Sequence, residues 1–388
     1  MQPFADGHSF APDIERAVIE SVQLPVLRTT VAEHVARVVR EPRVQQAQRI
    51  FMGGSGDSLF AALSVVHAFR RWTGLPVESR SAMELARYEM PLIGPQDLVI
   101  SISNSGSSSR AREVALLAAD RGAPTLGITG SLGGALARQA NFVVHRPVRE
   151  EIGLPSYYGR CLLNFAEYMA VLYALYALAL GIGVERGRLT SRQRDEYLAV
   201  IERSITAQGA IAERIEPAIA KLADEVKDID TIWAIGAGPS QGTARYSAAK
   251  FHEQMPINGL ACDLEEWAHL EYFLTLKWGS RSVVLVIAPP GNSLDRAQEL
   301  VQGISNAGGR AIVVDASPEL LFPQAHLRVS LGYEIEELLS PFIYHLPAQL
   351  LVLHMAARAG IPHIPLRRED GTWLIAKGIV RESVQGLI

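Results

Sequence analysis

The chain has 388 residues, 48% of them hydrophobic and 20% charged, with a formal net charge of −4. That is length enough for two domains with a real core, and the absence of a basic excess argues against nucleic acid as a partner. The two cysteines, Cys161 and Cys262, are far apart and lack metal-ligand spacing, so neither a zinc site nor a disulfide is expected, and the compartment reads as reducing. The start, "MQPFADGHSF", lacks the basic and apolar blocks of a signal peptide, and a cytoplasmic location is expected. Residues 1–46 read as a helical arm. Arg49-Ile-Phe-Met then reads as a strand, "GGSGDS" as a glycine turn and "LFAALSVVHAFRRW" as a helix. The apolar run Asp97-Leu-Val-Ile-Ser-Ile leads into "SISNSGSSSR" (101–110), which packs six serines and one asparagine around one glycine. Tyr168 to Ile182 is the most apolar stretch; it falls short of the roughly 20 residues of a membrane span and reads as a buried helix, so no membrane partner is expected. Residues 186–228 form a helical connector. Thr231-Ile-Trp-Ala-Ile, "GAGPSQG" and "TARYSAAKFHEQ" then repeat the order strand, glycine turn, helix.

The repeat extends further. "DLVISISNSGSSSRAREVALLAADRGAPTLGIT" can be laid on "SVVLVIAPPGNSLDRAQELVQGISNAGGRAIVV". Each is a buried strand, a polar turn, a helix and another apolar strand. Such alternation predicts an α/β fold of two tandem domains, 47–185 and 229–360, each a parallel sheet flanked by helices in three α/β/α layers of flavodoxin type. A tail, 361–388, follows. The copies differ at one place: the turn is "SNSGSSS" in the first and "APPGNS" in the second. Ligands of open α/β sheets bind at the carboxyl ends of the strands. A turn there that opens a helix offers backbone N–H groups and a positive dipole end, and serine hydroxyls add donors. Together they can hold a phosphate dianion without any lysine or arginine. Capping of the helix by Ser107 to Ser109 is the alternative. The glycine turns do not read G-x-G-x-x-G, and Pro76-Val-Glu-Ser shows no acid placed for a ribose, so no nicotinamide and no other cofactor is expected.

With these turns and the repeat in place, the chain resembles the tandem sugar isomerase (SIS) family, in particular the isomerase half of glucosamine-6-phosphate synthases and their glutaminase-free, deglycase-like relatives. The resemblance implies a phosphate cradle of Ser58, Ser103, Asn104, Ser105 and Ser108, where serine stands for the family's usual threonine and asparagine for its glutamine. It implies sugar contacts from Gly56, from Leu154 and Ser156 in Glu151-Ile-Gly-Leu-Pro-Ser156, from Glu266 and from Ala376. The family's Thr-Lys after that segment is Tyr157-Tyr158 here.

Lys250 and Glu253 lie three apart in "SAAKFHEQ" and share a helical face. By themselves they read as an ordinary surface pair; the resemblance makes Glu253 the base that shuttles a proton between C1 and C2, with Lys250 beside it. A carboxylate suits that task when partly desolvated, and a cation can steady the enediolate oxygen. His269 stands sixteen residues beyond Glu253 (269 − 253), the family's spacing from base to ring-opening histidine. Here the motif is Glu266-Trp-Ala-His269-Leu-Glu271, without the family's Gly-Pro. In the family this histidine reaches in from a neighbouring subunit, which implies a homodimer with a shared active site. His252 reads as a helix-surface residue. Lys377, in the tail "DGTWLIAKGIV", matches the family's C-terminal active-site lysine.

Three functions stay open at this stage. The first is an isomerase or amine-releasing or amine-adding enzyme on a phosphorylated sugar or amino sugar, since only about 46 residues precede the first unit and no glutaminase route to ammonia is present in them. The second is a fructosamine-6-phosphate deglycase. The third is a non-catalytic sugar-phosphate sensor. A sensor has no use for all of Glu253, Lys250, His269 and Lys377, which favours an enzyme.

Overall fold

Near-continuous apolar runs, not alternating ones, mark the central strands, as expected where helices cover both faces of a parallel sheet. The computed structural model of the protein describes residues 24–147 and 165–360. Of these, 24–147 and 165–202 form one compact unit and 203–360 the other.

The first unit holds α1 (Leu24–Val38), β1 (Arg49–Gly54), α2 (Asp57–Thr73), β2 (Val77–Ser81), β3 (Asp97–Ser103), α3 (Ser109–Asp120), β4 (Thr125–Thr129), β5 (Phe142–His145) and α4 (Phe165–Glu185). Its five strands are all parallel, in the order β2-β1-β3-β4-β5. Every residue of β3 and β4 is buried. Arg49 faces Asp97 across β1 and β3 and grips its carboxylate with two bonds of 2.8 Å, which fixes their register. The long helix α5 (Ser191–Glu225) follows; its residues up to 202 cluster with the first unit and those from 203 with the second.

The second unit continues with β6 (Thr231–Ile235), α6 (Ser240–Gln254), β7 (Asn258–Cys262), α7 (Tyr272–Trp278), β8 (Val283–Ile287), α8 (Leu294–Asn306), β9 (Arg310–Asp315), β10 (Leu327–Ser330) and α9 (Leu346–Arg358). Its strands are also all parallel, in the order β10-β9-β8-β6-β7, which is the first unit's order read from the other edge. This is the doubly wound order whose switch point lies between the first and third strands: β1 and β3 here, β6 and β8 there. The fold is thus two parallel five-stranded sheets flanked by helices, consistent with two tandem SIS domains.

The repeat reaches single glycines. A Cβ at Gly54 would sit 2.9 Å from the Leu59 backbone nitrogen, and one at Gly236 would sit 2.7 Å from the Ser240 carbonyl oxygen; each strand meets its helix too closely for a side chain. Two residues on, Gly56 has φ 56 and Gly238 has φ 54, a left-handed corner that starts the helix turn in both.

The apolar stretch after residue 164 is a 21-residue helix, longer than the Tyr168–Ile182 core read from sequence. It and the 22-residue segment Glu337–Arg358 are the described helices long and apolar enough to cross a membrane by length and composition, but 89% and 94% of their most apolar windows are buried inside the fold. They are core helices. Trp72 of α2 stacks edge-on against Tyr176 of α4 with ring centroids 5.8 Å apart.

Candidate active site

Two turns flank the switch point of the first sheet, one after β1 and one after β3. Ser58, in the first turn of α2, is half-buried, and Gly56 before it is exposed. In the second turn Ser103 is buried, Asn104 and Ser105 are exposed, and Ser108 is half-buried. The turn is held by its backbone: Gly106 N–H donates to Ser103 O (3.1 Å), Gly130 N–H to Asn104 O (3.0 Å) and Leu136 N–H to Gly106 O (2.9 Å). Ser105 and Ser107 join their hydroxyls at 2.7 Å. Ser108 occupies the N-cap position of α3, yet its hydroxyl makes no capping bond. Simple helix capping does not account for that serine.

An arginine stands behind this turn. Arg146, just past β5, is buried, with 1% of its surface exposed, and its guanidinium donates to the Asn104 side-chain oxygen. A guanidinium only donates, so it fixes the amide with oxygen inward and the NH₂ group turned away from it. A buried positive charge thus stands behind the turn, in addition to the hydroxyls and backbone donors read from sequence. Position along the chain hides it, because Arg146 sits in a loop 42 residues from Asn104 (146 − 104). A second buried charge, Glu113 of α3, pairs with Arg87 and with Arg110 at the start of α3.

In the second unit Lys250 is fully buried and Glu253 has 30% of its side chain exposed, with Nζ to Oε2 at 2.9 Å. This is no surface pair. Lys250 also lies over the Tyr246 ring, 4.4 Å from its centroid. Tyr246 in turn accepts a bond from Gln349 Nε2 (2.8 Å), and Gln349 Oε1 bonds His345 Nδ1 (2.9 Å), so α9 supports the face of α6 that carries the pair. His252 on the same helix is exposed, as read from sequence.

Burial above all, with the Lys250 charge adding to it and against bonds to Gln349 and the Phe342 backbone, pulls His345 down to about 4. The unfolded chain therefore binds a proton that the folded chain refuses between about pH 6.5 and 4, and stability falls as the pH drops through that window. At pH 5 the loss from this group is roughly 2 kcal/mol relative to pH 7.5. Urea midpoints should fall between those values, and less so in His345→Gln; equal pH dependence in both proteins would count against the assignment.

His269 lies on a π-helical turn, Trp267–Glu271, with 69% of its side chain exposed. Its bonded carboxylate is Glu265 (3.0 Å), one helical turn back and itself held by Arg296. Glu266 is exposed, and its N–H is capped by Asp263. The first unit has a matching π-turn, Leu85–Glu89, with Arg87 where the second has His269. Glu84-Leu-Ala-Arg87-Tyr-Glu89 against Glu266-Trp-Ala-His269-Leu-Glu271 was a repeat signal present in the sequence and missed there. Leu154, Ser156, Ala376 and Lys377 lie outside the described residues.

The profile described as SIS domain matches residues 44–178. Glutamine–fructose-6-phosphate aminotransferase (isomerizing) of Methanothermobacter thermautotrophicus is 28% identical over 338 residues, covering 86% of this chain and 53% of that protein. The chain spans about half the length of the curated relatives it matches. Among solved structures, the C-terminal domain of glucosamine-fructose-6-phosphate aminotransferase from Francisella tularensis is similar with a TM-score of 0.75 and 17% identity, over 88% of this chain and 96% of that one. Glucosamine-6-phosphate deaminase from Thermotoga maritima is similar with a TM-score of 0.65 and 18% identity, over 90% and 98%. These two likenesses show the fold.

Proposed function

We propose that the chain, whose residues 44–178 match the SIS domain profile, is an enzyme of phosphosugar isomerase type that acts on a ketose or hexosamine 6-phosphate, coupling aldose–ketose proton transfer to release or addition of an amine at the sugar's C2. The observation that carries the reading is the hydroxyl-rich turn 103–108, at the switch point of the unit that the family profile matches, with Arg146 behind it. A phosphate there receives serine hydroxyls, the Asn104 amide hydrogens and the N-terminal end of α3.

The acid–base roles fall to the second unit. Glu253 takes a proton from the carbon beside the carbonyl and returns it to the neighbouring carbon; Lys250 balances the carboxylate and the enediolate charge. Half-burial of Glu253 with a fully buried cation at 2.9 Å supports these roles. His269 opens the sugar ring. Its exposure, with exposed Leu270, Phe273 and Leu276 beside it, suits a residue that serves the site of a second copy, whose surface would cover this apolar patch. Lys377 completes the set from the tail.

The names of the similar proteins point to fructose 6-phosphate and glucosamine 6-phosphate as first substrates. The test is a panel of these two, tagatose 6-phosphate and fructosamine 6-phosphates, followed for ketose–aldose conversion and for ammonia or amine release. Turnover of one or more is the expected result. Tight binding of a phosphosugar with no turnover of any would replace the enzyme by a sensor.

A further inference from the structure

The second unit repeats the backbone of the first unit's cradle and fills it from within. The turn after β8, residues 288–293, stands where 104–108 stands after β3, and the turn of Gly238 stands where that of Gly56 does. β6 and β8 are hydrogen-bonded neighbours, as β1 and β3 are. Between these two turns lies the carboxylate of Glu337. Asn292 N–H donates to its Oε2 at 3.2 Å. A Cβ at Gly291 would run into the carboxylate, and one at Gly238 would lie 3.8 Å from its Oε1, so the two glycines are what lets the acid come this near the backbone. An open cavity of about 550 Å³ adjoins it, lined by Pro290, Leu294, Pro318, Ile335 and Glu336 among others.

We propose that Glu337 is a tethered anion seated in the second unit's phosphate cradle, so that the chain offers one phosphate site where its repeated backbone provides two. The two anions compete for the same backbone donors. A carboxylate delivered by its own chain acts at an effective concentration of roughly millimolar or more, so free phosphate esters at lower concentration lose to it. The second turn's sequence fits this: "APPGNS" keeps the glycine of "SNSGSSS", which here admits a carboxylate, and has lost most of its hydroxyls. The ligand class rests on the phosphate reading of the first unit; the occupancy by Glu337 does not.

Removal of the carboxylate should open a second site for a phosphate anion. Equilibrium dialysis and calorimetry of the full chain with inorganic phosphate and with fructose 6-phosphate should give one ligand per chain for the wild type and two for Glu337→Ala. A folded Glu337→Ala that still binds one, or a wild type that already binds two, would overturn the proposal. Glu337→Gln keeps the volume and serves if the alanine variant fails to fold; there a second, weaker site is expected, and its absence counts against the proposal equally. In a Ser105→Ala background the site gained by Glu337→Ala should persist. Should the wild type bind no phosphate while Glu337→Ala binds one, the reading of the first cradle fails and that of the second stands.

Discussion

Glu253→Gln is expected to abolish exchange of solvent deuterium into C1 or C2 of the bound sugar phosphate, with a loss in turnover of roughly 10²–10⁴-fold, the usual share of a positioned general base. Affinity for the phosphosugar should stay within a few-fold, because the phosphate is assigned to the other unit. The variant should also be less stable. Lys250 is fully buried and loses this carboxylate at 2.9 Å, and breaking such a pair from one side costs more than the pair contributes. Since Glu253 is partly exposed, the cost is on the order of 1–3 kcal/mol and not the full value for a deep pair. The double variant Lys250→Met/Glu253→Gln separates the two effects: it should recover part of the stability and none of the exchange. Undiminished exchange in Glu253→Gln would remove the residue from its role.

The architecture was legible because its signals are local. Apolar runs such as Val283-Val-Leu-Val-Ile, glycines at fixed places after β1 and β6, and helices of matching length each lie within about twenty residues of sequence, and together they give parallel sheets and a repeat. The serine turn was legible for the same reason. What escaped depends on pairs distant in sequence. Arg146 is a charged residue in a loop until the fold buries it against Asn104. Glu337 reaches Gly291 and Asn292 from more than forty residues away, and nothing in its neighbours marks it. The bond of His269 to Glu265, the residue four back, was open to the helical spacing but lies outside the quoted motif, which begins at Glu266. The buried support of Lys250 by Tyr246, Gln349 and His345 likewise joins helices about a hundred residues apart.

Arg146→Met should weaken binding of sugar phosphates by about tenfold to a hundredfold, in the range of one charge-assisted hydrogen bond and its partner left unsatisfied. Two losses combine. The turn loses a buried positive charge behind the place assigned to the phosphate, and Asn104 loses the donor that keeps its amide oxygen inward, so its NH₂ group is no longer presented outward. Arg146→Lys keeps the charge but not the planar fork, so it should recover part of the affinity. A purely structural role predicts something else: both variants would lower stability, and affinity for phosphate esters would fall no more than affinity for the unphosphorylated sugar. The measurement is therefore the ratio of the two affinities, taken at several salt concentrations, beside a thermal melt. A change confined to the phosphorylated ligand, shallower in high salt for the wild type than in low salt, assigns Arg146 to the anion. A folded Arg146→Met whose ratio matches the wild type would leave the serine turn to hold phosphate without it.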